Sequence, residues 1–210
     1  MGVQRATTVS VRLSLVLTVG LFVVAGCQMA PVASNMALVE HRQQVDSSGL
    51  VAPEAVEPLK ASIAPPAAWQ ALKIQKTLLY THQQWRSPSK RTAVGITYIR
   101  LPFPVGTSTV AFFAKKEAAK RSITGKLTRN WTDSLGREWF EGETDKYHIT
   151  GYVLVRGLDA WINYCGYRVK EEKMAGEIEL SQRALDTVLP LSAAAVADSA
   201  SARADAAPVR

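Results

Sequence analysis

Four runs of alternating apolar and polar residues follow one another late in the chain, at 127–132, 137–143, 147–155 and 160–169. Alternation places successive side chains on opposite faces, the period of a half-buried strand. The connections Asp133-Ser134-Leu135-Gly136 and Arg156-Gly157-Leu158-Asp159 are built of turn-forming residues. Parallel neighbours would need crossovers of roughly a dozen residues or more. These four strands are therefore expected to pair antiparallel.

Two further strands are expected upstream. Leu72, Ile74, Lys76, Leu78 and Tyr80 alternate with polar positions, and Arg86-Ser87-Pro88-Ser89-Lys90 supplies a turn. Val94, Ile96 and Tyr98 mark the second strand, which Pro102 and Pro104 stop. Thr107, Ser108 or Thr109 can cap a helix in which Val110, Phe113, Ala114 and Ala118 share a face. A closing helix over 172–189 carries Met174, Ile178, Ser181, Leu185 and Val188 at steps of three and four, and Pro190 ends it. The order β-β-α-β-β-β-β-α predicts an α+β fold: an antiparallel sheet of about six strands with two helices packed on it.

That element order, a single domain following a cysteine-terminated leader, and the closing Leu185-Asp186-Thr187-Val188-Leu189-Pro190 resemble the PsbP/Mog1/DcrB-like α/β sandwich over residues 68–190. The resemblance implies a module that works through protein contacts. It carries over no functional residue.

The leader is read from its own chemistry. Arg5 and Arg12 are the charges before an apolar run from Leu13 to Gly26. At 14 residues this run is short of the roughly 20 that span a bilayer, so residues 1–26 read as an export signal. Its end, Val24-Ala25-Gly26-Cys27, resembles a lipobox, at which a signal peptidase cuts beside a lipid-modified cysteine. Cys27 is thus the expected lipidation site and the membrane the expected partner through that lipid. Gln28 in place of aspartate fits passage to the outer membrane of a Gram-negative cell. Residues 27–67, with Pro31, Pro53, Pro58, Pro65 and Pro66, read as a tether, within which 36–44 can form a transient helix. Residues 191–210, rich in Ala and Ser, read as a disordered tail. All five tryptophans fall within 68–190, where cores and contact surfaces are built.

No reactive constellation stands out. The second cysteine, Cys165, sits mid-strand with Trp161, Asn163 and Tyr167 on one face, and core packing is its expected role. With Cys27 acylated, a disulfide scaffold is excluded. His41, His82 and His148 are widely spaced and offer no metal-ligand spacing, so neither metal nor cofactor is expected. Glu141 and Glu143 share a face with Trp139, a pattern that fits a solvated sheet face better than a glycosidase pair. The Gly125-Lys126 pair lacks the upstream glycine of a phosphate loop.

The formal net charge is +7. Its clusters are Lys115, Lys116, Lys120, Arg121 and Lys126 across the first helix, and Arg86, Lys90 and Arg91 at the first hairpin. For an exported chain these fit a solvated face, anionic head groups or an acidic partner rather than nucleic acid. The leading expectation is a membrane-tethered, non-catalytic protein-interaction module of the cell envelope, with Trp85, Arg86, Lys90 and Arg91 as its contact tip. A small-ligand-binding lipoprotein with a pocket lined by Trp139, Tyr152 or Trp161 is the alternative. An enzyme in which His82 or His148 meets Cys165 or Glu141 is the third.

Overall fold

The computed structural model describes residues 34–120, 126–143, 146–169 and 174–192. The expected signal, Cys27, the first residues of the tether and residues 193–210 lie outside them. The chain runs α1 (Asn35–Gln43), β1 (Glu54–Val56), a short 3-10 turn (Glu57–Leu59), β2 (Ala61–Ile63), β3 (Gln70–Ala71), β4 (Gln75–Lys76), β5 (Thr81–Arg86) and β6 (Thr92–Arg100). It continues through α2 (Thr107–Lys120), β7 (Lys126–Thr132), β8 (Glu138–Glu143), β9 (Tyr147–Arg156), β10 (Asp159–Arg168), α3 (Ala175–Asp186) and β11 (Leu189–Pro190).

The expected α+β fold is the observed one. An 8-stranded antiparallel sheet has the order β3-β5-β6-β10-β9-β8-β7, with β4 also pairing β5, and β1, β2 and β11 form a separate 3-stranded sheet. β9 and β10 make a two-residue hairpin in which Arg156 faces Asp159. Gly157 takes φ +60 there, the left-handed backbone that a tight hairpin needs. Gly95 serves a close approach instead. A Cβ at that position would meet the Tyr164 ring across the strands at 2.6 Å, so only glycine lets that ring lie over the sheet.

Each face of the sheet has its own cover. On one face Trp85, Val94, Ile96, Tyr152, Leu154, Trp161 and Cys165 pack under α3 and the amino-terminal segment. On the other, Ile99, Phe140, Val153, Val155 and Ala160 pack under Val110 and Ala111 of α2.

The expected 27–67 tether is corrected by this packing. Its described part folds with the domain: Leu38, Val39, Leu59, Ala61 and Ile63 are buried in the same core as α3. Ser34 caps α1 by accepting the Ala37 amide at 3.1 Å. Trp161 donates its indole N–H to the Leu59 carbonyl at 2.9 Å. β2 pairs with β11 beyond the closing helix. Proline density hid the segment because its buried residues fall in short runs within elements of three residues, with no period to read.

The first expected strand is also displaced. Thr77 closes a turn, its hydroxyl accepting the Leu79 and Tyr80 amides, and the strand proper is the polar run Thr81–Arg86. In α2 the buried face is Val110 and Ala111, with Ala114 half-buried, while Phe113 is exposed.

One side chain ties the layers together. Arg137, only 5% exposed, follows the β7–β8 turn. Its Nε donates to Asp133 Oδ2 at 2.6 Å and its Nη1 to Asp186 Oδ1 of α3 at 3.2 Å, while Nη2 lies 3.4 Å from His41 Nε2 of α1. The guanidinium also sits 5.0 Å from the Trp139 ring and 4.8 Å from the Tyr152 ring. Burial by itself would raise the Asp133 carboxyl. The Trp139 indole and the Arg137 guanidinium outweigh it and hold the group below the usual aspartate range.

Replacing Arg137 with Met strands two carboxylates in a partly dry site and should cost about 3–5 kcal/mol in urea unfolding. Because the folded-state pKa of Asp133 is depressed, its contribution is present above the ordinary aspartate value of about 3.9 and is lost as pH falls below it. Unfolding midpoints measured from neutral pH down through the carboxylate range should therefore fall more steeply for the native chain than for Arg137→Met. Parallel curves would refute the role given to this pair.

Candidate functional site

The expected contact tip is not an open tip. Trp85 is 2% exposed and lies opposite Val94, so it is a core residue and not a surface anchor. Strand alternation decides this: Thr81, Gln83 and Trp85 all point to the face that α3 and the amino-terminal segment cover. The turn after it is pinned to α3. Ser89 donates both its amide, at 3.3 Å, and its hydroxyl to the Glu177 carboxylate. Burial pushes that carboxyl up, but the Ser89 and Ser87 hydroxyls outweigh it and hold it below the usual range. Lys90 is exposed with left-handed backbone, φ 62, while Arg86 and Arg91 are half-buried.

The expected ligand-lining aromatics are also mostly core. Tyr152 is buried and donates its hydroxyl to the Leu185 carbonyl at 3.2 Å, and buried Trp161 bonds Leu59. A shallow groove of about 270 Å³ lies elsewhere, between Arg42, Val45, Leu50, Val51, Ala64 and Thr187.

The histidines separate. His82 faces the α2 side, its Nδ1 3.0 Å from Thr97 Oγ1 and its ring stacked on Tyr164. Burial depresses its pKa. Cys165 occupies the opposite face, so His82 and Cys165 do not meet. Burial pushes the Cys165 thiol up to about 12, a poor nucleophile at neutral pH. His148 and Glu141 do meet: Nε2 lies 3.1 Å from Glu141 Oε1, Nδ1 lies 3.6 Å from Glu143 Oε2, and the ring stacks on Tyr167. Cross-strand register alone places these groups, since His148 pairs with both Glu143 and Tyr167. Among the described residues no group of His, Cys, Asp and Glu could hold a metal ion.

An exposed aromatic and cationic cluster lies at the β7 edge. Among the described residues β7 has a strand on one side only, at the end of the large sheet. The opposite edge differs, because β3 and β4 both cover β5. Trp131 on β7 is 37% exposed and stacks on Trp139 of β8, with centroids 5.5 Å apart and planes within 4°. The Arg129 guanidinium lies 5.0 Å from the Trp131 ring. From the surface inward the order is Arg129, Trp131, Trp139, then Arg137 and Tyr152, with Trp139 and Tyr152 4.9 Å apart. Asp133 accepts the Trp139 indole N–H at 2.8 Å and so fixes that ring. In the sequence Trp131 is one of five tryptophans with nothing to single it out. The Arg-x-Trp spacing at 129 and 131 put both on one strand face, but edge position is a property of topology.

A second exposed group surrounds the α2 cover. Leu78, Leu79, Phe103, Phe112 and Phe113 all present large apolar side chains to solvent. Of the expected basic cluster, Arg121 lies outside the described residues. No helix among the described residues is long and apolar enough to cross a membrane.

Comparison with known proteins gives no family: no family model matches the chain. No curated protein matches it. A solved structure from Bacteroides thetaiotaomicron VPI-5482 is similar over 62% of this chain, with 10% identity and a TM-score of 0.31. The chain spans 44% of that protein's length.

Thiol titration checks the placement of Cys165. In a Cys27→Ser variant, Ellman's reagent should find no reactive thiol in the folded protein and one equivalent after denaturation. Rapid reaction under native conditions would place Cys165 at a surface.

Proposed function

We propose that this chain is a lipoprotein of the cell envelope, held to a membrane by lipid on Cys27, whose domain serves as a protein-interaction module and not as a catalyst. In a Gram-negative host the address is the outer membrane, in keeping with Gln28. Membership of the PsbP/Mog1/DcrB-like group is part of this reading. The β-β-α-β-β-β-β-α order from β5 to α3 supports it.

The observation that carries the interaction role is the Arg129–Trp131–Trp139 stack on the β7 edge, which has no second strand beside it among the described residues. Tryptophan and arginine dominate the energetics of protein contacts because they bury large, rigid area and pair well with partner groups. Rigidity is built in here. Trp139 is clamped between Trp131 and the Arg137–Asp133 pair, so little side-chain freedom remains to be lost on binding. An open edge adds backbone donors and acceptors to which an extended segment of a partner can pair.

A photo-crosslinking residue at exposed Asn130 tests this in cells, with adducts identified by mass spectrometry. A discrete adduct should form with the native chain. Trp131→Ala should weaken it by at least about tenfold, as loss of a hot spot implies, and Cys27→Ser should abolish it by misplacing the protein. Equal adduct yield with Trp131→Ala would remove this edge as the contact.

A further inference from the structure

The folded domain begins at Ser34, the cap of α1, and Leu38 and Val39 of that helix are in the core. Six residues, 28–33, lie between Cys27 and Ser34, a span of seven residue steps (34 minus 27). At 3.3–3.6 Å per extended residue, seven residues reach at most about 25 Å. If Cys27 carries lipid, which is the reading given above, the domain cannot stand far from the bilayer. One of its surfaces must lie near the head groups.

The α2 side is built for that position. Leu78 is 99% exposed and Leu79 is exposed beside it, both in the turn between β4 and β5. That turn is stiff: Thr77 bonds back to Tyr80 through amide and hydroxyl, so the two leucines are held out and not left to collapse inward. Phe103 is exposed in the loop between β6 and α2. Phe112, 60% exposed, and Phe113 stand edge-to-face on α2, with centroids 5.6 Å apart. Each of the five lies within two residues in sequence of a member of one cluster, in which Tyr80, Ile99, Val110 and Ala111 pack with half-buried Leu101, Val105 and Ala114. Folding gains nothing from presenting five large apolar side chains around a single cluster, and such groupings mark contact with something apolar.

Charge selects the occupant. Lys73 and Lys76 are exposed just before Leu78. Lys115, Lys116 and Lys120 follow Phe113 in the same helix, against a single acidic residue, Glu117. Without the leader's Arg5 and Arg12, the chain from Cys27 onward carries +5 (+7 minus 2). An apolar tip such as Leu78 with exposed Lys73 and Lys76 beside it is the composition that enters the head-group boundary of an anionic bilayer.

We infer that the face formed by Leu78, Leu79, Phe103, Phe112 and Phe113 docks the domain onto an anionic lipid surface. α1 covers the other face of the sheet. A helix–sheet–helix sandwich measures about 20 Å between helix axes and each helix adds roughly 5 Å to its outer surface, so with the α2 side on the membrane the stretch from Ser34 to Cys27 runs along the domain at about its full reach. This contact is separate from the β7 edge and leaves that edge open to a protein partner.

The test uses the acylated full chain in vesicles of phosphatidylcholine with or without phosphatidylglycerol. Leu78→Cys, Phe112→Cys and, as a control on α3, Glu179→Cys each carry an environment-sensitive fluorophore; buried Cys165 stays unlabelled. With phosphatidylglycerol, labels at 78 and 112 should shift to the blue and brighten about threefold or more as they enter the interface, and the label at 179 should not. Mass spectrometry of the Cys27 peptide reads the anchor separately. Acylated Cys27 with unchanged labels at 78 and 112 would overturn the docking face and leave the anchor standing. Unmodified Cys27 would overturn the anchor and with it the distance argument. Equal changes in pure phosphatidylcholine would overturn the requirement for anionic lipid, and changes that need added envelope protein would assign the face to a protein instead.

Discussion

Arg137 is the interaction on which the other parts of this structure depend. A cation that is almost wholly buried persists only when its donors are used and its charge is matched. Here the matching groups come from three places far apart in sequence: Asp133 in the β7–β8 turn, Asp186 at the end of α3 and His41 in α1. Satisfying one guanidinium therefore fixes the closing helix and the amino-terminal helix against the same corner of the sheet. Removing the charge would release all three at once.

The same residue ties architecture to surface chemistry. Its guanidinium supports the Trp139 ring from within, and Trp139 in turn supports Trp131 at the edge. An aromatic stack that would be loose on an isolated hairpin becomes a rigid feature because its base is anchored in a buried ion-pair network. The two faces of the sheet divide the remaining work. One is sealed by α3 and the amino-terminal segment. The other is sealed by the small residues Val110 and Ala111, which leaves the neighbouring Phe112 and Phe113 outside.

Much of the fold was legible. The strands β7 to β10 follow from alternation and from turns whose chemistry is local, with Gly157 at positive φ and Asp133 accepting the Leu135 and Arg137 amides. β5 was misplaced because Thr-His-Gln-Gln-Trp-Arg carries one large apolar residue, and its pairing with β6 is a long-range fact. Trp85 looked like a surface anchor because Arg86 follows it, yet alternation along a strand beginning at Thr81 turns it inward. The amino-terminal segment was misread because β1, β2 and β11 are two or three residues long and gain stability only from one another and from the core. The convergence of His148 with Glu141 was foreseen as one alternative. That its other partners would be Glu143 and the Tyr167 ring depended on strand register.

By itself the sequence determined the fold class. Alternation needs only neighbours, so α+β class and antiparallel order could both be read from spacing. Tertiary structure alone decided which tryptophan is buried and which is exposed, that the segment from Ser34 onward packs with the domain, and which sheet edge lacks a neighbour among the described residues. Those outcomes turn on which segment covers which face, and that is set by long-range packing around Arg137 and under α3, where residues more than a hundred positions apart, such as Leu59 and Trp161, meet.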